Sequence, residues 1–290
     1  MSMQGRVVVI TGSNIGIGLE TAVGVAMAGA TTVLACRNQE KAAAAAAQVK
    51  ERTGNEEVHV VALDLSDLES VRHAAEEIIS RWDKLHVLVN NAGGTWSERL
   101  VTKQGFEQTL GVNHLGHFLL TNLLLERTVS SAPSRIINLS SVGHHMAWRG
   151  MRFDDLQSEK RYAAMEAYGR SKLANILFTR ELSKRVAGSG VTVNAVHPGP
   201  VRSGFGMDGD LKGIMGWGNR MIRPFEISAA SGAKTSIYLA TSPEVEGKTG
   251  LYWVRSRPGH MSTQAHNDEQ AARLWEESEK LLASVGFMLA

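Results

Sequence analysis

Apolar residues along the chain alternate between short runs rich in β-branched side chains and longer stretches where they recur every three or four positions. The short runs predict seven strands, at residues 6–10, 31–35, 58–62, 86–90, 135–139, 191–196 and 251–254. The longer stretches predict helices at residues 17–28, 39–52, 68–82, 106–128, 163–186 and 228–241. Because strands and helices alternate, the pattern predicts a doubly wound α/β fold with a parallel sheet of about seven strands.

Neither a fixed-period repeat nor a Pro/Ser-rich linker divides the chain, so we expect one domain over residues 1–290. The segment at about 200–227 departs from the rhythm, because it mixes six glycines with apolar side chains such as Phe205 and Trp217. We interpret it as an apolar lid over a hydrophobic substrate. A helix pair packed on the body or on a subunit partner, or a peripheral membrane contact, are the alternatives.

Composition excludes several classes of protein. The 31 Lys and Arg residues nearly balance 29 Asp and Glu, so the basic surface that nucleic-acid binding requires is not expected. The single cysteine, Cys36, can form neither an internal disulfide nor a Cys-rich zinc site, and we expect no metal. No apolar run reaches the roughly 18 residues of a membrane span, and no secretion signal is recognisable. We therefore expect a cytoplasmic protein without a transmembrane segment.

A glycine-rich turn follows the first strand and precedes the first helix. In the run from Thr11 to Gly18, three glycines allow a sharp turn and a close approach of the backbone to a pyrophosphate. The helix that follows presents free N–H groups and a positive dipole end to an anion. The pattern predicts a dinucleotide site, and the alternative is a plain turn.

The end of the second strand decides which dinucleotide is expected. An acidic residue there would bind a ribose 2′-hydroxyl, whereas the sequence places Arg37 at that point, which suits a 2′-phosphate. We therefore favour NADP(H), with NAD(H) as the alternative. Asp64 and Leu65 after the third strand, and residues 90–93 after the fourth, are expected to line the same crevice.

An acid–base pair is predicted on the fifth long helix. Tyr168 and Lys172 are four residues apart, which places them on one helix face, and the ammonium is expected to lower the pKa of the phenol. Ser140 and Ser141 follow the fifth strand, where a serine hydroxyl could donate to a substrate carbonyl oxygen. Asn113 is a polar residue within an apolar helix, and its alternative role is that of a hydrogen-bonded core amide.

Taken in order, these motifs resemble the short-chain dehydrogenase/reductase family over about residues 6–282. The resemblance rests on TGxxxGxG at 11–18, Asp64, NNAG at 90–93, Asn113, Ser141, YxxxK at 168–172, and Pro198-Gly199. Within the family the chain is most similar to the retinol dehydrogenase group, through segments such as residues 156–162, 171–182 and 273–282. The resemblance implies a Rossmann-type single domain and hydride transfer between nicotinamide and a carbonyl or alcohol.

The resemblance also implies roles for single residues. Tyr168 would be the acid in carbonyl reduction and the base in alcohol oxidation, and Lys172 would lower its pKa and bind the nicotinamide ribose. Ser141 would orient the carbonyl, and Asn113 would support a water in the proton relay. The implied cofactor contacts are Gly12, Ser13, Asn14, Ile15, Gly16, Ile17, Gly18, Arg37, Asp64, Leu65, Asn91, Ala92, Gly93, Tyr168, Lys172, Pro198, Gly199 and Val201.

Three departures from the family pattern limit these expectations. Residue 15 is Ile where many NADP-dependent relatives carry Arg, so Arg37 must recognise the 2′-phosphate largely alone. The interval between Ser141 and Tyr168 is long, as in the retinol dehydrogenase group, and residues 146–153 within it are expected to shape the substrate pocket. The apolar membrane anchor usual in retinol dehydrogenases is not recognisable, so the resemblance does not carry over a retinoid substrate.

Two classes of function follow. The first is an NADP(H)-dependent oxidoreductase acting on an apolar carbonyl or alcohol such as an aldehyde, a ketone or a retinoid-like compound, and the second is a non-catalytic NADP(H)-binding sensor or scaffold with the same fold. Joint presence of Ser141, Tyr168, Lys172 and Asn113 favours the enzyme. The family resemblance also implies a homodimer or homotetramer.

Overall fold

The computed structural model describes residues 2–199 and 227–289. Among these residues one sheet contains the strands β1 Val7–Thr11, β2 Thr31–Cys36, β3 Val58–Ala62, β4 Val87–Asn90, β5 Ser134–Leu139, β6 Val191–His197, β7 Tyr252–Val254 and β8 Arg257–Pro258. The helices are α1 Gly16–Met27, α2 Gln39–Thr53, α3 Leu68–Arg81, α4 Gln108–Leu110, α5 Gly116–Leu123, α6 Leu125–Val129, α7 Ala164–Arg185, α8 Ala229–Thr241 and α9 Asp268–Ser284.

The strand order is β3-β2-β1-β4-β5-β6-β7-β8, and β1 to β7 are parallel. This confirms the predicted doubly wound α/β fold and its seven parallel strands. The direction of chain progression reverses between β1 and β4, and open sheets of this kind bind ligands in the crevice at such a point. β8, a two-residue antiparallel edge strand, was not predicted.

Alternation along the strands divides the core between the two faces of the sheet. Val7 and Val9 of β1 belong to one apolar cluster, with residues of α3, α5 and α7, whereas Val8 and Ile10 belong to a second, with residues of α1, α2 and α8. All of β1 is buried, because helices cover both faces. The sheet therefore holds its carboxyl-end loops on a rigid base.

The prediction of one continuous helix over residues 106–128 was wrong, because the helical segment there is interrupted twice. The turn Gly111–Leu115 between α4 and α5 is π-helical, and the helix breaks again at Leu124 before α6. The spacing of apolar residues over a single turn is too short a pattern to distinguish an α turn from a π turn. π-helical turns are frequent at functional sites, and this one contains Asn113.

The helix α9 also lay outside the predicted elements. It packs on α7 and on the α5 region: the Trp275 ring lies 4.8 Å from Phe118 and 5.9 Å from Phe178, centre to centre. His114 Nε2 lies 2.8 Å from the Ser278 hydroxyl. The helix that carries Tyr168 and Lys172 is thereby buried along most of its length. Residues 200–226 of the predicted lid segment, which include Val201, lie outside the described residues.

Candidate active site

The glycine loop turns from β1 into α1 at the carboxyl edge of the sheet. Gly12 and Gly16 have φ angles of +63° and +60°, a region that favours glycine. A Cβ on Gly12 would lie 2.8 Å from the Ala92 Cβ, and one on Gly18 would collide with the Gly12 carbonyl and lie 2.6 Å from Asn91 Nδ2. Gly12 and Gly18 are therefore packed so closely against neighbouring atoms that no side chain fits at either position.

The N-terminus of α1 is suited to a phosphate group. Within the described part of the chain no side chain caps this helix, and its first turn contains no acidic residue. Both features leave backbone N–H groups and the positive dipole end available to an anion. The cradle formed by Gly12, Gly16 and Gly18 therefore fits the dinucleotide that the sequence predicts.

Thr11 joins the glycine loop to the segment after β4. Its Oγ1 accepts hydrogen bonds from the backbone N–H groups of Asn91 and Ala92, each at 2.9 Å, and lies 2.9 Å from His117 Nε2. Asn91 Nδ2 in turn donates to the Thr11 carbonyl oxygen at 2.8 Å. Because Thr11 is fully buried, these bonds fix the relative position of the two loops.

The segment after β4 leads directly to the predicted acid–base group. The Asn113 side chain accepts from Gly94 N at 2.8 Å, donates to Gly94 O at 2.9 Å and donates to Ser171 Oγ at 2.9 Å. A Cβ on Gly93 would lie 2.9 Å from Asn113 Oδ1 and 3.2 Å from Lys172 Nζ. Asn113 is a fully hydrogen-bonded core amide, as the alternative interpretation held. Asn113 and Lys172 both lie beside Gly93.

Of the two serines after β5, the structure brings Ser141 to the tyrosine. The Ser141 hydroxyl is hydrogen-bonded to Tyr168, and a Cβ on Gly143 would lie 2.9 Å from the Tyr168 ring. Ser140 is buried, and its hydroxyl donates to the Lys172 carbonyl oxygen at 2.8 Å. The hydroxyl pair in the crevice is therefore Ser141 and Tyr168.

The electrostatics of the pair differ from the sequence expectation. Lys172 Nζ lies 5.6 Å from the centre of the Tyr168 ring, but burial raises the pKa of Tyr168, against an opposing effect of the Ser141 hydrogen bond. Burial also lowers the pKa of Lys172 to about 8. The expectation that the pKa of Tyr168 is lowered was wrong: in the protein without a bound ligand, desolvation of the phenol is the larger effect and raises this pKa.

The other predicted cofactor contacts lie at the same edge, with one restriction. Arg37 is exposed after β2, and its side chain forms no hydrogen bond or ion pair with another described residue. The Asp64 carboxylate accepts from the Ser66 backbone and hydroxyl. Leu65 is buried in the core, so a ligand in the crevice could meet only its backbone.

Two more predicted residues, Pro198 and Gly199, follow β6. Gly199 has a φ of +94°, and a Cβ there would lie 2.9 Å from Ile227 Cδ1. The remaining loop residues, Ser13, Asn14, Ile15 and Ile17, lie between β1 and the first turn of α1. Every predicted site residue that the structure describes is therefore near the carboxyl edge of the sheet.

Several polar residues around the site were not singled out from the sequence. Thr11 and His117 connect the glycine loop to the π-helical turn, and Asn175 Nδ2 donates to the Leu139 carbonyl oxygen at 2.8 Å beside Lys172 Nζ, 3.3 Å from the same oxygen. Thr11 belongs to the TGxxxGxG motif, which was the one available signal. The others carry no local signal, because each acts through a partner distant in sequence.

Comparison with known proteins agrees with this geometry. A family model described as short chain dehydrogenase matches residues 6–153 and 156–210. The chain belongs to the short chain dehydrogenase family. Retinol dehydrogenase 12 of Homo sapiens is 48% identical over 282 residues, which are 97% of this chain and 88% of that protein.

Two solved structures of similar proteins extend the comparison. A Mycobacterium Paratuberculosis protein without a described activity has a TM-score of 0.77 and 35% identity, covering 100% of this chain and 96% of the other. The Pseudomonas aeruginosa RhlG/NADP active-site complex has a TM-score of 0.68 and 25% identity, covering 87% and 94%. The retinol dehydrogenase-like resemblance and the Rossmann-type fold are confirmed.

Membership of the short chain dehydrogenase family gives the activity in general terms. The chain is an oxidoreductase that uses a nicotinamide dinucleotide to interconvert a carbonyl and an alcohol. The comparisons contain no support for a non-catalytic sensor or scaffold. Among the described helices, none has both the length and the apolar character needed to cross a membrane.

Proposed function

We propose that this dehydrogenase prefers NADP(H) and that Arg37 recognises the 2′-phosphate. The exposed guanidinium of Arg37 has no partner among the described residues, so its donors are available, and β2 ends without a carboxylate. The RhlG complex, a related structure, contains NADP. A planar guanidinium matches a phosphate with two parallel hydrogen bonds.

Fluorescence titration with NADPH and NADH tests this preference. We expect Arg37→Ala to weaken NADPH binding about 10- to 100-fold, as for one hydrogen-bonded charge, and to leave NADH binding unchanged. The exposed Lys41, on the first turn of α2, provides the control variant Lys41→Ala, which should change neither affinity. Equal affinity of the wild type for both cofactors would contradict the proposal.

We assign the proton transfer to Tyr168, with Ser141 as its partner at the substrate oxygen. When bound, the nicotinamide supplies or accepts the hydride. As negative charge grows on a carbonyl oxygen, the Ser141 hydroxyl donates a hydrogen bond to that oxygen and Tyr168 donates its proton to it. The hydrogen bond between these two hydroxyls supports the assignment, because two hydroxyls in contact can both reach one substrate oxygen.

Lys172 and Asn113 complete the group. The Lys172 ammonium lies beside Gly93, within the predicted cofactor crevice, where it would bind the nicotinamide ribose and stabilise the Tyr168 phenolate once the proton has left. Asn113 holds the backbone of Gly94 through two hydrogen bonds. We propose that this amide keeps the loop after β4 at a fixed distance from Lys172; its own donors and acceptor are all occupied, so the water of the proton relay that the resemblance implies would need another partner.

The raised pKa of Tyr168 keeps this residue in the acid form that carbonyl reduction uses. Because burial raises this pKa above its ordinary value of 10, Tyr168 keeps its proton at neutral pH and is ready to act as an acid. Alcohol oxidation requires the phenolate and should accelerate as the pH rises. Initial rates of both directions between pH 6 and pH 10 test this; oxidation that does not increase with pH would contradict it.

We propose an apolar aldehyde or ketone as the substrate, of the retinoid-like class suggested by the relative's name. Three apolar side chains follow Ser141 closely and are exposed: Val142, Met146 and Trp148. Exposed apolar groups beside a catalytic hydroxyl favour an apolar ligand. Rates of NADPH oxidation with glyceraldehyde, nonanal and retinal test this preference. We expect turnover of the two apolar aldehydes, and turnover of the polar glyceraldehyde alone would contradict the proposal.

The predicted homodimer or homotetramer and the cytoplasmic location remain proposals. The family resemblance supports self-association, and light scattering during size-exclusion chromatography would measure it. A single species with the mass of one chain, 31.4 kDa, would exclude it. Fractionation of cells expressing the full chain would test the location, since a membrane-pelleted protein is incompatible with a cytoplasmic one.

A further inference from the structure

Two imidazoles hold the peptide unit that joins Ser141 to Val142. The Ser141 carbonyl oxygen accepts hydrogen bonds from His144 Nδ1 at 2.6 Å and from the His144 N–H at 3.1 Å, and the Val142 N–H donates to His197 Nδ1 at 3.3 Å. His144 belongs to the same turn after β5, whereas His197 is the last residue of β6. Both polar ends of one peptide plane are thus bound by histidine side chains.

The partners of the second ring atoms determine where each proton lies. His144 Nε2 accepts from the Ser262 N–H at 3.1 Å, so its proton is on Nδ1. His197 Nδ1 accepts a second hydrogen bond from the Gly199 N–H at 3.3 Å, so its proton is on Nε2. The two neutral rings are therefore opposite tautomers, one donating to the peptide and the other accepting from it.

The surroundings keep both rings neutral. Burial lowers the pKa of His144 and of His197 to about 4. The His145 ring lies 4.1 Å from His144 and the Arg255 charge is near His197, and each opposes a further positive charge. Tyr252 contacts both rings, edge-on to His144 at 5.1 Å and stacked on His197 at 6.5 Å. The arrangement of donors and acceptors therefore persists at physiological pH.

This peptide is the first unit of the turn that positions the Ser141 hydroxyl. The Gly143 N–H donates to Ser141 Oγ at 3.0 Å, and Gly143 packs against the Tyr168 ring. A rotation of the peptide plane would move both groups relative to Tyr168. We propose that His144 and His197 are positioning residues, which clamp this peptide so that the Ser141 hydroxyl faces Tyr168; the proposal rests on the function assigned to Ser141.

Kinetics of paired variants test the clamp, with retinal and NADPH as the probes. We expect His144→Leu and His197→Leu to lower kcat about 10- to 100-fold, the effect of a small misplacement of a reacting group. Asparagine can place a donor or an acceptor near the Nδ1 position, so His144→Asn and His197→Asn should return to within about 5-fold of the wild type. The Kd for NADPH of both His144 variants should stay unchanged.

The exposed His73 of α3 provides the control, since His73→Leu removes an imidazole whose hydrogen-bond partner is Glu76 and which contacts none of the clamp residues. Its kcat should equal that of the wild type. Leucine variants as active as the wild type, or asparagine variants no better than leucine variants, would overturn the clamp. A wild type that does not turn over retinal contradicts the proposed function instead.

A second measurement, on the wild-type protein, does not depend on turnover. Nitrogen-15 NMR of histidine-labelled protein distinguishes the two neutral tautomers by the proton that each ring nitrogen carries, and His144→Asn and His197→Asn assign the two signals. At pH 7 we expect a proton on Nδ1 of His144 and on Nε2 of His197. The same tautomer in both rings, or a signal averaged by exchange, would overturn the proposal.

Discussion

Replacement of Lys172 by methionine is expected to stabilise the protein while abolishing turnover. Only 5% of Lys172 is exposed, and among the described residues no carboxylate pairs with it. Its Nζ lies 3.3 Å from the Leu139 carbonyl oxygen, which keeps its bond from Asn175 Nδ2 when the lysine is replaced. Methionine has a similar length and no charge, so the variant removes a buried cation without leaving a buried acceptor unpaired.

The pKa of Lys172 gives the size of the effect. Burial lowers it from 10.5 to about 8. At about 1.4 kcal/mol per pKa unit, keeping the ammonium charged in the folded state costs roughly 3 kcal/mol at pH 7. Because the folded pKa is the lower one, the unfolded chain binds more protons between about pH 8 and pH 10.5. The cost therefore falls as the pH rises through this window, to below about 1 kcal/mol at pH 10.

Urea denaturation followed by tryptophan fluorescence measures the prediction, since the chain has six tryptophans. At pH 7 the free energy of unfolding of Lys172→Met should exceed that of the wild type by about 3 kcal/mol, and the difference should shrink at pH 10. The exposed Lys41 supplies the control Lys41→Met, which should match the wild type at both pH values. A destabilised Lys172→Met at pH 7, or a gain that does not depend on pH, would refute the reasoning.

Three further variants test the site. Tyr168→Phe should keep its affinity for NADPH and lose turnover by about 10²- to 10⁴-fold, the range of a general acid; retention of most activity would exclude that role. Thr11→Val leaves the Ala92 N–H without its acceptor, whereas the Asn91 N–H still donates to the Val89 carbonyl oxygen, and it should lower the free energy of unfolding by about 1 to 3 kcal/mol; Thr11→Ser should not, and equal urea midpoints would contradict this. Gly18→Ala introduces a collision with Gly12 and should lower stability by about 1 to 3 kcal/mol and weaken NADPH binding. If the NADPH titration and the melting curve of Gly18→Ala match those of the wild type, the loop can accommodate a methyl group at residue 18 and the prediction is wrong.

Much of the fold and the centre of the site follow from local sequence. The glycine loop could be predicted because Gly12 and Gly16 are needed for positive φ angles and Gly18 for close packing, all within one turn. Tyr168 and Lys172 could be paired because a helix brings residues four apart onto one face. The parallel sheet with helices on both faces could be predicted because strands and helices alternate along the chain.

What could not be predicted depends on contacts between distant segments. The side chain of Leu65 is buried in the core rather than in the crevice, because it packs against Gly116. The direction of the Tyr168 pKa shift reflects burial, which a pair of residues on one helix cannot reveal. His144 gains its tautomer from Ser262, 118 residues away. Such roles are visible only once the chain is folded.

The helix α9 has a consequence for how the enzyme is made. During synthesis the crevice between β1 and β4 can assemble early, because all of its strands and α1 precede residue 140. Phe178 on α7 meets Trp275 only after the ribosome has added almost another hundred residues. Until then the catalytic helix has an exposed apolar side that favours association with other chains or with chaperones. A premature stop just before Asp268 should therefore yield an aggregating chain rather than a slightly shorter enzyme.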